Sequence, residues 1–144
     1  MVRLAGRDDR DGLLDRCREL RPADPALTPV QAEPLLDALL TDPAIVLVVA
    51  DVDGELAATC MLAVVPQLAC GGCPFGVIEH VVTARRHRRR GVGRAVLKFA
   101  LERAWERRCS KVVLLSGVQR PEAHALVESV GFRGDVERGF VARP

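Results

Sequence analysis

Apolar positions recur along the chain in two different periods, and each change of period marks an element. Early on the spacing is helical: in "RLAGRDDRDGLLDRCRELRP" a short strand leads to a helix with Leu13, Leu14, Cys17 and Leu20 on one face and Asp8 or Asp9 near its cap. "TPVQAEPLLDALLTDP" predicts a second helix, because Thr28, Pro29 and Gln31 have capping-box spacing; Pro34 is expected to break or kink its first turns. The period then shortens. "AIVLVVADVDGELAATCMLAVV" is two β-rich runs around Asp53-Gly54, a hairpin signal, and the loop "PQLACGGCP" leads to a further strand, "FGVIEHVVT". Helical spacing returns at Val92, Ala95, Val96, Phe99, Ala100 and Ala104, after which "KVVLLSG" reads as a fully buried strand. "RPEAHALVESVGF" has Pro121 and Glu122 in a first turn and Gly131 as a stop, and "RGDVERGFVARP" reads as a last strand. The order is mixed α/β: early helices, an antiparallel meander, then strand, helix, strand, helix, strand.

Composition narrows this to one soluble domain spanning residues 1–144, since 144 residues supply a single core and no repeat or linker interrupts them. The 21 Lys and Arg are nearly cancelled by 19 Asp and Glu, so the net charge of +2 makes any basic character local. A general nucleic-acid binder carries a basic face and, for single strands, aromatic stacking platforms. Four Phe, one Trp and no Tyr offer little to stack on. "MVRLAGRDDRDG" lacks the apolar segment of a secretory signal, and no run is long enough to span a bilayer, so the expected location is the cytoplasm, with no membrane partner. Five scattered cysteines fit reduced thiols; "CGGC" has no second ligand pair to complete a zinc site, and no metal is expected.

One stretch is chemically unusual. "ARRHRRRGVGRAVLKFALERA", Ala84 to Ala104, crowds five arginines and a histidine against two glycines where a strand ends and a helix begins. The first turn of a helix carries unpaired N–H groups and partial positive charge, so this junction suits an anion. Gly91 and Gly93 would let a phosphate approach the backbone, with Arg88, Arg90 and Arg94 at the rim. A Walker A loop is excluded because the Gly-Lys-Ser/Thr ending is absent. The dinucleotide fingerprint fails too: its third small position falls on Val96, and "CSKVVLL" offers no acidic ribose ligand. Arg-x-x-Gly-x-Gly, Arg88 to Gly93, remains.

"IEHVVTARRHRRRGVGRAVL" resembles the signature of the GNAT superfamily of acyl-CoA N-acyltransferases, and the likeness continues through "KVVLLSG" to "HALVESVGF". It implies an α/β (α+β) fold with a mixed, mostly antiparallel sheet of about six to seven strands flanked by helices, and a strand-loop-helix site for coenzyme A. Arg88, Arg89, Arg90, Gly91, Val92, Gly93 and Arg94 would cradle the pyrophosphate. Val81, Val82 and Thr83 match strand positions whose backbone pairs with the pantetheine arm and points an N–H at the thioester carbonyl, which amounts to an oxyanion hole. The implied activity is acetyl transfer from acetyl-CoA to a primary amine, by direct attack in a ternary complex.

The resemblance departs at Val127, where the family often has a Tyr that protonates the departing thiolate. His124, one turn earlier on the same helix, is a candidate for that role, with packing or capping as the alternative. Glu79 matches the position where some relatives place the carboxylate that takes the amine proton, against a plain solvated strand residue. His80 points away from Glu79 by strand alternation and is the weaker candidate. Two other readings stay open: a nucleic-acid-binding or regulatory module using Arg85 to Arg90, and an acyl-CoA-binding protein with little catalysis. The acceptor, a small molecule or a peptide amine, is not legible. Neither is the oligomeric state, for which the final strand and the Cys70 loop are candidate homodimer contacts.

Overall fold

The computed structural model describes residues 1–144. Five strands, β1 (Val2–Leu4), β2 (Ile45–Val52), β3 (Glu55–Val65), β4 (Phe75–Thr83) and β5 (Val112–Leu114), form one sheet in chain order. The first three pairings are antiparallel and β4–β5 is parallel. The hairpin between β2 and β3 turns at Asp53 (φ 53°) and Gly54 (φ 77°), both left-handed, as a two-residue turn matched to strand twist requires.

Helices cover both faces. On one, α3 (Val92–Glu106) lays Val96, Leu97, Ala100 and Ala104 against Val48, Ala58, Cys60, Leu62 and Ile78. The alanines let the helix lie close to the sheet, and each large side chain in this cluster is fully excluded from water; truncating one such as Leu97 to Ala costs about 2–5 kcal/mol. On the other face α1 (Arg10–Leu20) and α2 (Pro29–Thr41) bury Leu13 and Leu36 against Val49 and Leu56. A fourth helix, α4 (Pro121–Glu128), packs on the start of α3. No helix is long and apolar enough to cross a membrane.

Several expectations are corrected. The sheet has five strands, not six to seven, because residues 133–144 join no ladder. Arg133, Gly134, Asp135, Glu137, Arg138 and Gly139 leave that segment no continuous apolar face, and Val136, Phe140 and Val141 stay exposed. β5 is three half-buried residues rather than a fully buried strand, since it is an edge with one neighbour. In α1 the inward face is Leu13 and Arg16; Cys17 is exposed. Pro34 does not break α2, which runs on to Thr41. The amide that Pro34 lacks would have met the carbonyl of Val30, an exposed residue, where water can take its place. Thr28 caps α2 as the spacing predicts: its Oγ1 accepts from Gln31 N (3.2 Å), and Gln31 Oε1 accepts from Thr28 N (2.9 Å).

Candidate active site

The sheet opens where β4 outruns its neighbour. Only Gly76 to Ile78 pair with β5, so Glu79 to Thr83 have a free edge on that side. A bulge sits in the same stretch: Glu79 faces Met61 and Val82 faces Thr59, so His80 and Val81 together oppose Cys60, and His80 takes a left-handed φ of 56°. The bulge interrupts strand alternation. It turns Val81, not His80, onto the α3 face beside Ile78. Beyond it the Ala84 N–H bonds to Ala57 O (2.8 Å), and counting back by twos leaves the N–H groups of Val81 and Thr83 on the free edge.

The strand leads through a single turn, Arg85–His87, into the loop before α3. Two residues there are left-handed, Arg89 (φ 59°) and Gly91 (φ 79°), and Gly91 has open space where a Cβ would stand. Gly91 O accepts the Ala95 N–H (3.0 Å) and so opens the helix, while the N–H groups of Val92, Gly93 and Arg94 have no acceptor within the chain. Three aligned donors at the positive end of a 15-residue helix form a cradle suited to an anion.

The two glycines have different reasons to be there. A Cβ on Gly93 would meet Thr83 Oγ1 at 2.8 Å and Leu126 Cδ2 at 3.3 Å, so Gly93 is needed where α3, β4 and α4 converge, not for phosphate approach. Gly91 is the glycine that leaves the approach open.

Much of the basic run is consumed inside the protein. Arg86 pairs with Glu55; His87 is buried with Nε2 2.7 Å from Glu55 Oε2; Arg90 Nη1 lies 2.9 Å from His87 Nδ1; Arg88 Nε donates to Thr83 O at 3.1 Å. The Arg89 and Arg94 side chains have no acidic partner and stay available to a ligand. Glu55 is the residue sequence reasoning missed. It is separated from His87 by 32 positions, and no local pattern announces it.

Glu79 and His124 lie on different sides of β4. Glu79 is on the face opposite Ile78, toward α1, and makes no hydrogen bond or ion pair. The Arg21 guanidinium that follows α1 has its pKa raised mainly by Asp24, with Glu79 adding to the field. His124 is on α4, on the α3 side. Its Nε2 is 2.8 Å from Gly117 O, and because a carbonyl only accepts, that nitrogen carries a proton. Nδ1 is then an acceptor in the neutral ring and a donor only in the imidazolium. Val127 packs into the core beside α3 and offers no acid. Cys60 is the thiol nearest the bulge, opposite His80 and Val81, but burial pushes its pKa up to about 12, so it is no nucleophile.

Comparison with known proteins places this arrangement. A solved structure from Agrobacterium tumefaciens, named as an acetyltransferase, is 40% identical and superposes with a TM-score of 0.94, covering 100% of this chain and 99% of that one. A structure from Bacillus halodurans named as a transcriptional regulator is 25% identical with a TM-score of 0.88, covering 99% of each chain. The rat N-acetyltransferase family 8 member 3 is 37% identical over 68 residues, which are 46% of this chain and 30% of the rat protein, so the match spans less than a third of that relative. The model of the acetyltransferase (GNAT) family matches residues 13–132, a span that runs from the first buried leucine of α1, through the open strand edge and the helix cradle, to the end of the α4 turn. With that much of its length matched, the chain belongs to the acetyltransferase (GNAT) family.

Proposed function

We propose that residues 1–144 form one acetyl-CoA-dependent N-acetyltransferase domain that transfers an acetyl group to a primary amine by direct attack in a ternary complex. The observation that carries this reading is the pairing of three acceptorless N–H groups at the start of α3 with an unpaired β4 edge a few residues away. A molecule with a diphosphate at one end and an extended amide-bearing arm fits both. The main chain from Arg88 to Arg94, with Val92, Gly93 and Arg94 as N–H donors, holds the diphosphate; Val81, Val82 and Thr83 receive the arm along the edge. Acetyl-CoA supplies an acyl group already activated as a thioester.

The chain's own part follows from these positions. An edge N–H of the bulged strand, at Val81 or Thr83, donates to the oxygen that gains charge as the amine adds. Glu79, free of partners on the α1 side, takes the proton that the amine nitrogen loses as its bond to the acyl carbon forms. The carbon–sulfur bond then breaks, and the thiolate takes its proton from the His124 imidazolium or from water. The burial of Cys60 favours direct attack over an acyl-cysteine route.

The basic run does not favour a nucleic-acid module, because Arg86, His87, Arg88 and Arg90 are already engaged within the fold. The acceptor is an amine-bearing small molecule or peptide entering past α1 and α2. Saturation with acetyl-CoA at a hundredfold over its dissociation constant should stabilise the fold by about 2.7 kcal/mol. No thermal shift with millimolar acetyl-CoA, beside a clear shift with DNA, would reject the assignment. An amine-library screen that detects released thiol identifies the acceptor; binding of acetyl-CoA without thiol release for any amine points to the acyl-CoA-binding alternative.

A further inference from the structure

The anion-binding loop contains a residue in a costly conformation, and the side chains on either side of it are tied down. Arg89 is left-handed at φ 59° without being a glycine, which persists only where the surroundings enforce it. Before it, Arg88 Nε is anchored on Thr83 O. After it, Arg90 Nη1 points at His87 Nδ1, 2.9 Å away. A guanidinium only donates, so Nδ1 is the acceptor and the neutral ring carries its proton on Nε2. That proton faces Glu55 Oε2 at 2.7 Å, and a carboxylate only accepts. The three groups therefore have one consistent arrangement, with donation running from Arg90 to His87 to Glu55.

Glu55 anchors this chain from a distant part of the sequence. It begins β3 immediately after the Asp53-Gly54 turn, its carboxylate also takes Arg86, and Arg16 Nη1 from α1 lies 3.6 Å away. Hydrogen bonds from His87 first, and from Arg86 second, hold its carboxyl below the usual carboxylate range, so it is ionised at neutral pH. His87 is only 5% exposed, which keeps water from competing for either ring nitrogen. A rigid hairpin thus reaches across to the cofactor loop through one buried imidazole.

We propose that Glu55, acting through His87, is a positioning residue for the cosubstrate: it holds Arg90 and the Arg88 to Gly91 loop in the shape that presents the first-turn N–H groups of α3 to a diphosphate. The inference rests on the coenzyme A reading of the site and deepens it. Neither residue touches the ligand. Losing the tie frees Arg90, lets Arg89 relax out of its left-handed conformation, and disperses the donors.

The test compares coenzyme A binding by calorimetry in the wild type, Glu55→Gln, His87→Phe and His87→Gln. Pantetheine, which lacks the diphosphate, is followed by NMR in the same proteins, and the unliganded melting temperature of each is recorded. His87→Phe keeps a ring but removes both hydrogen bonds, and it should weaken coenzyme A about tenfold, the scale of one charge-assisted contact. Glu55→Gln, whose amide oxygen can still accept the His87 Nε2–H but carries no charge, should weaken coenzyme A by a smaller factor, about threefold, while pantetheine binding holds in both variants. His87→Gln, whose amide retains an acceptor and a donor, should stay within about threefold of wild type. Wild-type coenzyme A affinity in Glu55→Gln and His87→Phe overturns the proposal. So does equal weakening of coenzyme A and pantetheine, which is the signature of general structural damage. If one of the two does not fold, the other decides. A wild-type protein that fails to bind coenzyme A at all rejects the underlying reading instead.

Discussion

Gly93 and Thr83 touch across the junction of α3 and β4 so closely that a Cβ on Gly93 would stand 2.8 Å from the Thr83 hydroxyl oxygen. This contact joins the helix that presents the anion cradle to the strand that presents the free edge, and it fixes the spacing between the two halves of the site.

Gly93→Ala should therefore destabilise the protein even though alanine is the better helix former. Overpacking of a well-filled junction costs about 1–3 kcal/mol, against a gain of at most about 1 kcal/mol from helix propensity. Shortening the opposing side chain in Gly93→Ala/Thr83→Ala should recover part of the loss, so the two changes are not additive. Denaturant unfolding of the two single variants and the double variant, without ligand, measures the coupling. Additive costs would mean that the helix start has shifted to make room, and that the spacing is not fixed by this pair.

How much of this was legible in the sequence follows the range of the interactions. The Asp53-Gly54 hairpin, the Thr28–Gln31 cap and the start of α3 after Gly91 rest on neighbours a few residues apart, and local pattern specifies them. The bulge at His80 was not legible, because it depends on how β4 meets β3. Alternation, applied without it, put His80 on the face opposite Glu79, where the bulge sets Val81 instead. Gly93 was legible as a glycine the motif requires but not for its reason, since Thr83 and Leu126 come from two other elements. Arg16 looks like a solvent-facing helix residue, yet it is 6% exposed, with Glu19 and Glu55 as its nearest carboxylates. The last strand failed for the opposite reason: a few apolar residues suggested it, but a three-residue edge offered too short a ladder for a segment broken by Gly134 and Gly139.

Acid should weaken the fold through a second carboxylate. Asp9 ends the short turn Arg7–Asp9 before α1, with its Oδ2 accepting from Gly6 N (2.7 Å) while both carboxylate oxygens take the Arg3 guanidinium at 2.7 and 2.8 Å. Arg3 chiefly, then the Gly6 amide, hold the Asp9 carboxyl below its ordinary value against the opposing effect of burial. A carboxylate depressed in the folded state contributes stability that is complete above its unfolded pKa and disappears as pH falls through the folded one. Arg3 is 37% exposed, so screening limits the pair, and Asp9→Asn should cost about 1–2 kcal/mol at neutral pH. Thermal unfolding from pH 7 down to pH 3 should show the wild type falling toward the variant, with the variant's own curve flatter. Parallel curves over that range would show that Asp9 is not a source of the acid sensitivity.

Glu79 and His124 should separate by kinetic signature, because they serve opposite ends of the proposed transfer and lie on different sides of β4. An ammonium cannot attack, so Glu79→Gln removes the group that takes the amine proton, and its rate loss should shrink at high pH as the free amine forms unaided. His124 acts at the other end, on the leaving thiolate. With Nε2–H committed to Gly117 O, the ring can protonate a thiolate only from Nδ1 of the imidazolium. The cost of His124→Ala should therefore fall on kcat and leave acetyl-CoA binding nearly unchanged. It should also shrink with thioesters of more acidic thiols, which leave with less help. The melting temperature separates this from a holding role: an alanine that lowers it but leaves kcat at the wild-type value across the pH range makes His124 a tie for the turn before α4. The thiolate would then leave to water, consistent with a thiol of ordinary pKa about 8.5 needing little protonation to depart.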